Sequence, residues 1–285
     1  MREKGFVFIF FIFCLLALSE IYASETEVLI EGSEKMLNFV GPWVDKFQQD
    51  NPGIAIRVSE RKEKEGFVDL VSGNCDIVIS RSGPKPGSQA KAGEINKTAV
   101  AAEGITFAVN PNNPVSKLTV SELRDILSGK IINWEEVGGS YGEITIYGPQ
   151  VNSWVNNFIK ESIFNPSGAE PKTGITYRAI NLSSDAEIYQ QVAGDPRAIG
   201  YYSGIYVPAG LKALSVANDA SAEYIYPVKE KIPDNRYPFR RSFFFCTKSA
   251  KPPVRLFIDR VLSKDYQEML YAYGFYPVKA DDQSN

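Results

Sequence analysis

The side chains able to do chemistry in this chain are hydroxyls, carboxylates and cations, and there is no histidine among its 285 residues. Ser33 follows Gly32 and precedes a helical run, so it reads as an N-cap. The first N–H groups of a helix have no intrahelical acceptor and can receive an anion. Arg61 and Lys62 stand in the mixed charge run 60–66, which reads either as a solvated loop or as a source of anion contacts. Asp76 opens an apolar run, where nearby backbone N–H groups can hold a carboxylate. Glu34 suits the start of a helix, yet a carboxylate ~5 Å from a bound anion opposes it by a few kcal/mol at an effective dielectric near 20. The chain has no H-E-x-x-H, no G-x-S-x-G, no nucleotide phosphate loop and no cysteine cluster. By itself an N-cap serine is a structural feature, nothing here points to catalytic residues with defined roles, and no cofactor or metal is expected.

The elements that must position them are organised around residues 104–134. Ile105, Phe107 and Val109 alternate with smaller neighbours, as in a strand. The prolines and asparagines of 110–114 end it, because proline cannot donate to a ladder and asparagine tolerates turn geometry. Thr119 and Glu122 have capping-box spacing; Leu123, Ile126 and Leu127 form the apolar face of the helix that follows, and Gly129 ends it.

Before this stretch, 27–30 reads as a strand, and Met36, Phe39, Val40, Trp43 and Phe47 as the core face of a helix that stops at Asn51-Pro52-Gly53. Residues 54–58 form a second strand and 67–71 a short helix. After it come a strand at 144–147, a helix through Phe158, Ile159 and Ile163, a strand at 176–180, a helix from Asp185, and strands at 198–202 and 242–247. Helical stretches at 254–262 and 266–272 close the chain.

Residues 1–23 read as a secretory signal: Arg2 and Lys4 precede an apolar run, and Ala23 is a small residue before a cut. The run of about 13 residues is short against the roughly 20 that span a bilayer. Cys14 lies inside it without the small neighbours of a lipoprotein site. Cleavage removes two basic and two acidic residues, so the net charge stays at −3, and a mildly acidic chain without a basic run gives no support to nucleic-acid binding. Of the two remaining cysteines, Cys75 and Cys246, a disulfide is permitted outside the cytoplasm, but two buried inert thiols are expected.

A strand ending in Asn110-Pro111-Asn112-Asn113-Pro114-Val115, then Leu118-Thr119, Glu122-Leu123, Ile126, Gly129, Ile131 and Asn133-Trp134, resembles the crossover segment of phosphate-type periplasmic solute-binding proteins of ABC importers. Ser72-Gly73, Asp76-Ile77 and Ser80-Arg81, the run from Val192 through Asp195-Pro196 to Ala198-Ile199-Gly200-Tyr201, and Tyr237-Pro238 with Arg240-Arg241 are similar to further segments of that family. The resemblance implies an α/β fold of the type II periplasmic-binding-protein kind: two Rossmann-like lobes joined by two hinge strands, with residues 24–108 and 242–285 in the first lobe and 109–241 in the second.

For the site, the resemblance implies that Ser33 lines the ligand cleft, that Asp76 accepts a hydrogen bond from a protonated phosphate oxygen, and that Ser153 (or Asn152, in the other register) opens a helix onto the anion. The chain departs from the family where it matters for the ligand. Pro149 or a neighbour stands in place of an arginine, and Trp154-Val155 replace Gly-Thr after the serine. Arg240 and Arg241 are expected to pair with acids near the hinge. The implied function is a periplasmic or secreted monomer that captures a small oxyanion, phosphate first, and presents it to a membrane permease. The alternative keeps the fold but acts through protein partners with a cleft that no longer takes phosphate.

Overall fold

The computed structural model describes residues 26–84, 93–165, 173–227, 236–248 and 251–278. The signal reading of 1–23 and the polar tail lie outside them. Among the described residues no helix is long and apolar enough to cross a membrane. The chain divides into two compact units, Met1–Thr98 with Phe244–Tyr266 and Ala99–Phe243 with Gln267–Asn285.

The first unit begins with β1 (Thr26–Gly32), α1 (Glu34–Asp50), β2 (Ile54–Glu60), α2 (Glu63–Ser72) and β3 (Ile77–Ser80). β1 pairs in parallel with β2 on one side and β3 on the other, the product of two helical crossovers. Val28 and Ile30 are fully buried on one face, where α1 lays down the aromatic row read from the sequence. Trp43 meets Phe39 and Phe245 edge-on, and its indole N–H donates to Tyr266 O at 2.8 Å. Truncating a fully buried aromatic of this kind costs about 3–5 kcal/mol. On the other face Phe67 and Leu70 of α2 pack with Val78 and both cysteines, which are free and buried. The expectation of two unlinked thiols holds.

β4 (Asn96–Val109) carries the chain into the second unit. There β5 (Lys117–Thr119), α3 (Val120–Leu127), β6 (Thr145–Pro149), α4 (Trp154–Ile159), β7 (Ile180–Leu182), α5 (Asp185–Gly194), β8 (Ala198–Ser203), β9 (Lys212–Ala213) and β10 (Ser215–Ala217) follow. The strand order is β4-β8-β6-β7, antiparallel between β4 and β8 and parallel beyond, with β9 on β4 and a separate β5–β10 ribbon. β11 (Arg240–Thr247) returns the chain to the first unit, where it pairs antiparallel with β3, and α6 (Pro252–Val261) and α7 (Lys264–Met269) follow.

The proline-rich turn is fixed by its asparagines. Asn110 Nδ2 donates to Val192 O and Ala193 O at the end of α5, and Asn113 Oδ1 accepts from Val115 N at 3.0 Å. Both halves of the Thr119–Glu122 capping box are formed. Gly104 is required by packing, since a Cβ there would stand 2.2 Å from the Ile205 side chain and 2.9 Å from Phe239 O.

Several boundaries differ from the sequence reading, and the short helix read over 67–71 already starts at Glu63, inside the charge run. Residues 176–179 form a turn, with Thr176 N bonded to Leu127 O, so the strand starts only at Ile180. The helix from Trp154 continues past Ile159 as a wider π turn, Lys160–Phe164. Residues 267–278 group with the second unit, where the sequence reading had put them in the first lobe. Gln267 Nε2 donates to Val100 O, and Ala102 and Tyr276 exchange backbone bonds.

Candidate functional site

In the first unit, parallel strands of equal polarity bring their C-terminal ends together, and the turns beyond them carry Ser33, Arg61 and Lys62. Gly32 is level with Glu60, and Arg61 N donates to Gly32 O at 2.9 Å. Gly32 has little room for a side chain, since a Cβ would lie 3.1–3.2 Å from Ile79. Ser33 occupies the cap position of a 17-residue helix, but its hydroxyl makes no cap bond; only its carbonyl is engaged, by Met36 N and Leu37 N. The hydroxyl and the helix's first N–H groups therefore point to the same task, donation to an acceptor from outside the helix.

Arg61 lies beside two carboxylates. Its Nε lies 3.7 Å from Glu31 and 3.5 Å from Asp69, two carboxylates for one guanidinium. Glu31 Oε2 is buried without a hydrogen-bond partner, and burial, then Asp69, push the Glu31 carboxyl above its ordinary value against the pull of Arg61. Lys62 is exposed at the cap position of α2, where its side chain makes no cap bond.

The structure does not bring Asp76 to this end. Asp76 precedes β3; its amide donates to Leu29 O, its Oδ2 accepts Leu29 N at 3.0 Å, and its Oδ1 holds Lys251 at 2.8 Å. Four residues of strand separate the level of Leu29 from Ser33, about 13 Å at a strand's rise. The backbone-held carboxylate is the reading that these contacts support. What the C-terminal end of β3 carries instead is Ser80 and Arg81, which the sequence reading quoted but did not select. Ser80 Oγ donates to Glu63 Oε1 and accepts from Gly83 N at 2.8 Å. The signal was available: in a parallel sheet, residues following a strand, not preceding it, flank the ligand end.

In the second unit, Asn152 and Ser153 lie in the turn between β6 and α4. Ser153 caps the helix, its Oγ accepting from Asn156 N at 3.2 Å, while Asn152 is exposed. The sequence reading missed Asn156, which fixes this turn. Its Nδ2 donates to Pro149 O and Gln150 O, both at 3.0 Å, and its Oδ1 accepts from the Tyr201 hydroxyl at 2.7 Å. The Tyr201 ring in turn fills the space over Gly148, where a Cβ would stand 2.3 Å from it. Arg241 pairs with Glu103, as the sequence reading expected of an arginine near the crossing strands. Among the described residues no group of three or more metal-ligating side chains is gathered.

A family model for the PBP superfamily domain matches residues 21–265. The phosphate-binding protein PstS of Bacillus subtilis (strain 168) is 30% identical over 260 residues, 87% of this chain and 80% of that protein. The chain belongs to the PstS family. The crystal structure of PstS from Borrelia burgdorferi is 24% identical and superposes with a TM-score of 0.78, over 90% of this chain and all of that one. An ABC-type phosphate transport receptor from Vibrio cholerae, at 21% identity, gives 0.72 over 88% and 99%. At these identities the two structures establish the fold, which is the type II periplasmic-binding-protein fold expected from the sequence. In this PstS-family chain Pro149 ends β6, Trp154 follows directly on Ser153, and Arg61 lies beside two acids.

Proposed function

We propose that this protein is the solute-binding component of a phosphate-type ABC importer, exported from the cytoplasm with loss of residues 1–23. It captures inorganic phosphate and presents it to a membrane permease. The observation that carries this reading is Ser33: a hydroxyl in the cap position of a long helix, at the C-terminal ends of parallel strands, that leaves the cap bond unmade. Ser153 is the corresponding contact from the second unit, with Asn152 beside it, and Lys62 supplies charge at the Ser33 end. Arg61 acts through Glu31 and Asp69, and Asp76 acts on the fold. The role is binding, with no bond made or broken, and the working form is a monomer. The family relationship and the phosphate-binding names of its relatives support the reading.

Thermal unfolding with and without phosphate tests it. A ligand at about 100 times its dissociation constant adds about 2.7 kcal/mol, which for a chain of this size raises Tm by about 5–10 °C. Sulfate gives a smaller shift, S33A abolishes the response, K62Q weakens it and R61Q leaves it near wild type. No shift with any oxyanion would overturn the importer reading and leave a protein that works through partners.

A further inference from the structure

Glu31 stands two positions before Ser33, so the chain itself keeps their Cα atoms within about 7 Å. Its side chain is only 9% exposed, and Oε2 has no hydrogen-bond partner. Gly66 of α2 permits this close cover, since a Cβ there would stand 3.4 Å from Oε2. One cation serves two acids here. Arg61, just beyond β2, sets its Nε 3.7 Å from Glu31 and 3.5 Å from Asp69 of α2. From the segment before β3 come the buried Cys75 thiol, neutral at ordinary pH, and Asp76, which is taken up by Lys251. Of the other charged side chains at this end, Glu63 holds Ser80, and Glu34, Glu60, Lys62, Lys64 and Glu65 are exposed. With both carboxylates ionised, Glu31, Asp69 and Arg61 carry one net negative charge, and a single proton removes it.

We infer that Glu31, Asp69 and Arg61 form a proton-operated control on the Ser33 end of the first unit: the cluster is neutral with its proton and admits an oxyanion, and it repels one when the proton is lost. The inference rests on the phosphate-binding reading above and adds regulation to that same site. The cluster needs no contact with the ligand, because a buried charge two residues from the anion is only weakly screened by salt. Burial, and then Asp69, hold the Glu31 proton above the ordinary 4.5 against the pull of Arg61, which moves the change toward neutral pH. Without Arg61 the two carboxylates would keep a proton between them, so the net charge at neutral pH would change little.

The competing role for the same contacts is purely structural, an ion cluster tying β1 to α2. Titration calorimetry with inorganic phosphate on wild type and E31Q, from pH 5 to pH 8, separates the two. The ratio of the two affinities at each pH cancels the ionisation of phosphate itself, and urea unfolding under the same conditions shows that both proteins are folded. E31Q is expected to bind about three- to tenfold more tightly than wild type at pH 8, the effect of one unit charge about 8 Å away in a partly wet setting. The two converge at the acid end. Should E31Q fail to fold, D69N removes the same charge from a side chain that is 23% exposed and is expected to show the same pattern. A ratio that does not change with pH overturns the inference, as does weaker binding by the variant at pH 8. If the wild-type protein binds no phosphate at any pH, the importer reading falls and this inference with it; if it binds and the ratio is flat, the reading stands and the cluster is structural.

Discussion

Lys251 Nζ stands 2.8 Å from Asp76 Oδ1, at the end of the first unit's strands away from Ser33. Asp76 is 8% exposed and also receives the Leu29 amide, so its two oxygens tie the start of β3 to β1 and to the residue before α6. Removing it strands a backbone donor and half an ion pair. D76A is therefore expected to cost about 1–3 kcal/mol of stability and to leave phosphate affinity unchanged. Urea unfolding and titration calorimetry on the same preparation check both halves; a large loss of affinity without loss of stability would return Asp76 to the ligand.

That residue also shows what a sequence can disclose. Elements with strong periodicity were legible: the aromatic face of α1, the Thr119–Glu122 box and the Asn-Pro turn all form as read, because each depends on neighbours within a few positions. Ser33 and Ser153 were legible as caps for the same reason. The rest depended on partners far away in the chain. Asp76 finds its cation 175 positions on, Arg241 finds its carboxylate at Glu103, and Asn156 acquires its meaning only when Tyr201 donates to it from β8. Edge strand β7 was misplaced because residues 176–179 give their bonds to a turn against α3, which no local pattern announces.

The Tyr201–Asn156 bond gives a second test. Tyr201 lies where a Cβ on Gly148 would be, at 2.3 Å, and its hydroxyl is tethered 2.7 Å from Asn156 Oδ1, so the ring cannot swing aside without breaking that bond. G148A is expected to cost about 1–3 kcal/mol, the usual range for overpacking a core. N156A releases the carbonyls of Pro149 and Gln150 and the tether at once. It should lower phosphate affinity through the displaced Ser153, whereas N152A, at an exposed position, has a small effect. Equal effects of N152A and N156A in calorimetry would show that the turn is not what positions Ser153.

Thiol chemistry offers a third. Burial pushes both Cys75 and Cys246 up to about 12, helped at Cys75 by Glu31, Asp69 and Asp76 and opposed at Cys246 by Lys97. At pH 8 about one thiol in ten thousand is then ionised, and the thiolate is the reactive form. Neither cysteine is expected to react with a disulfide reagent in the native protein over minutes, and both should react at once in denaturant. Rapid labelling of one thiol under native conditions would mean that the packing around Phe67 and Val78 opens.

Glu31 supplies the pH dependence. Its carboxyl sits above the ordinary 4.5, first through burial, then through Asp69, with Arg61 opposing. A carboxyl whose folded pKa is raised holds its proton longer in the folded state than in the unfolded chain. Stability therefore falls as pH rises from about 4.5 through the folded pKa, and above that point the penalty is constant. E31Q removes the titration while keeping shape, and its Arg61 partner is half exposed, so the lost ion pair costs under about 1 kcal/mol. Urea midpoints measured at pH 4 and pH 7 should show E31Q gaining on wild type as pH increases. The opposite trend would mean that attraction to Arg61 outweighs burial, and that the Glu31–Arg61–Asp69 cluster strengthens the end of β1 at neutral pH.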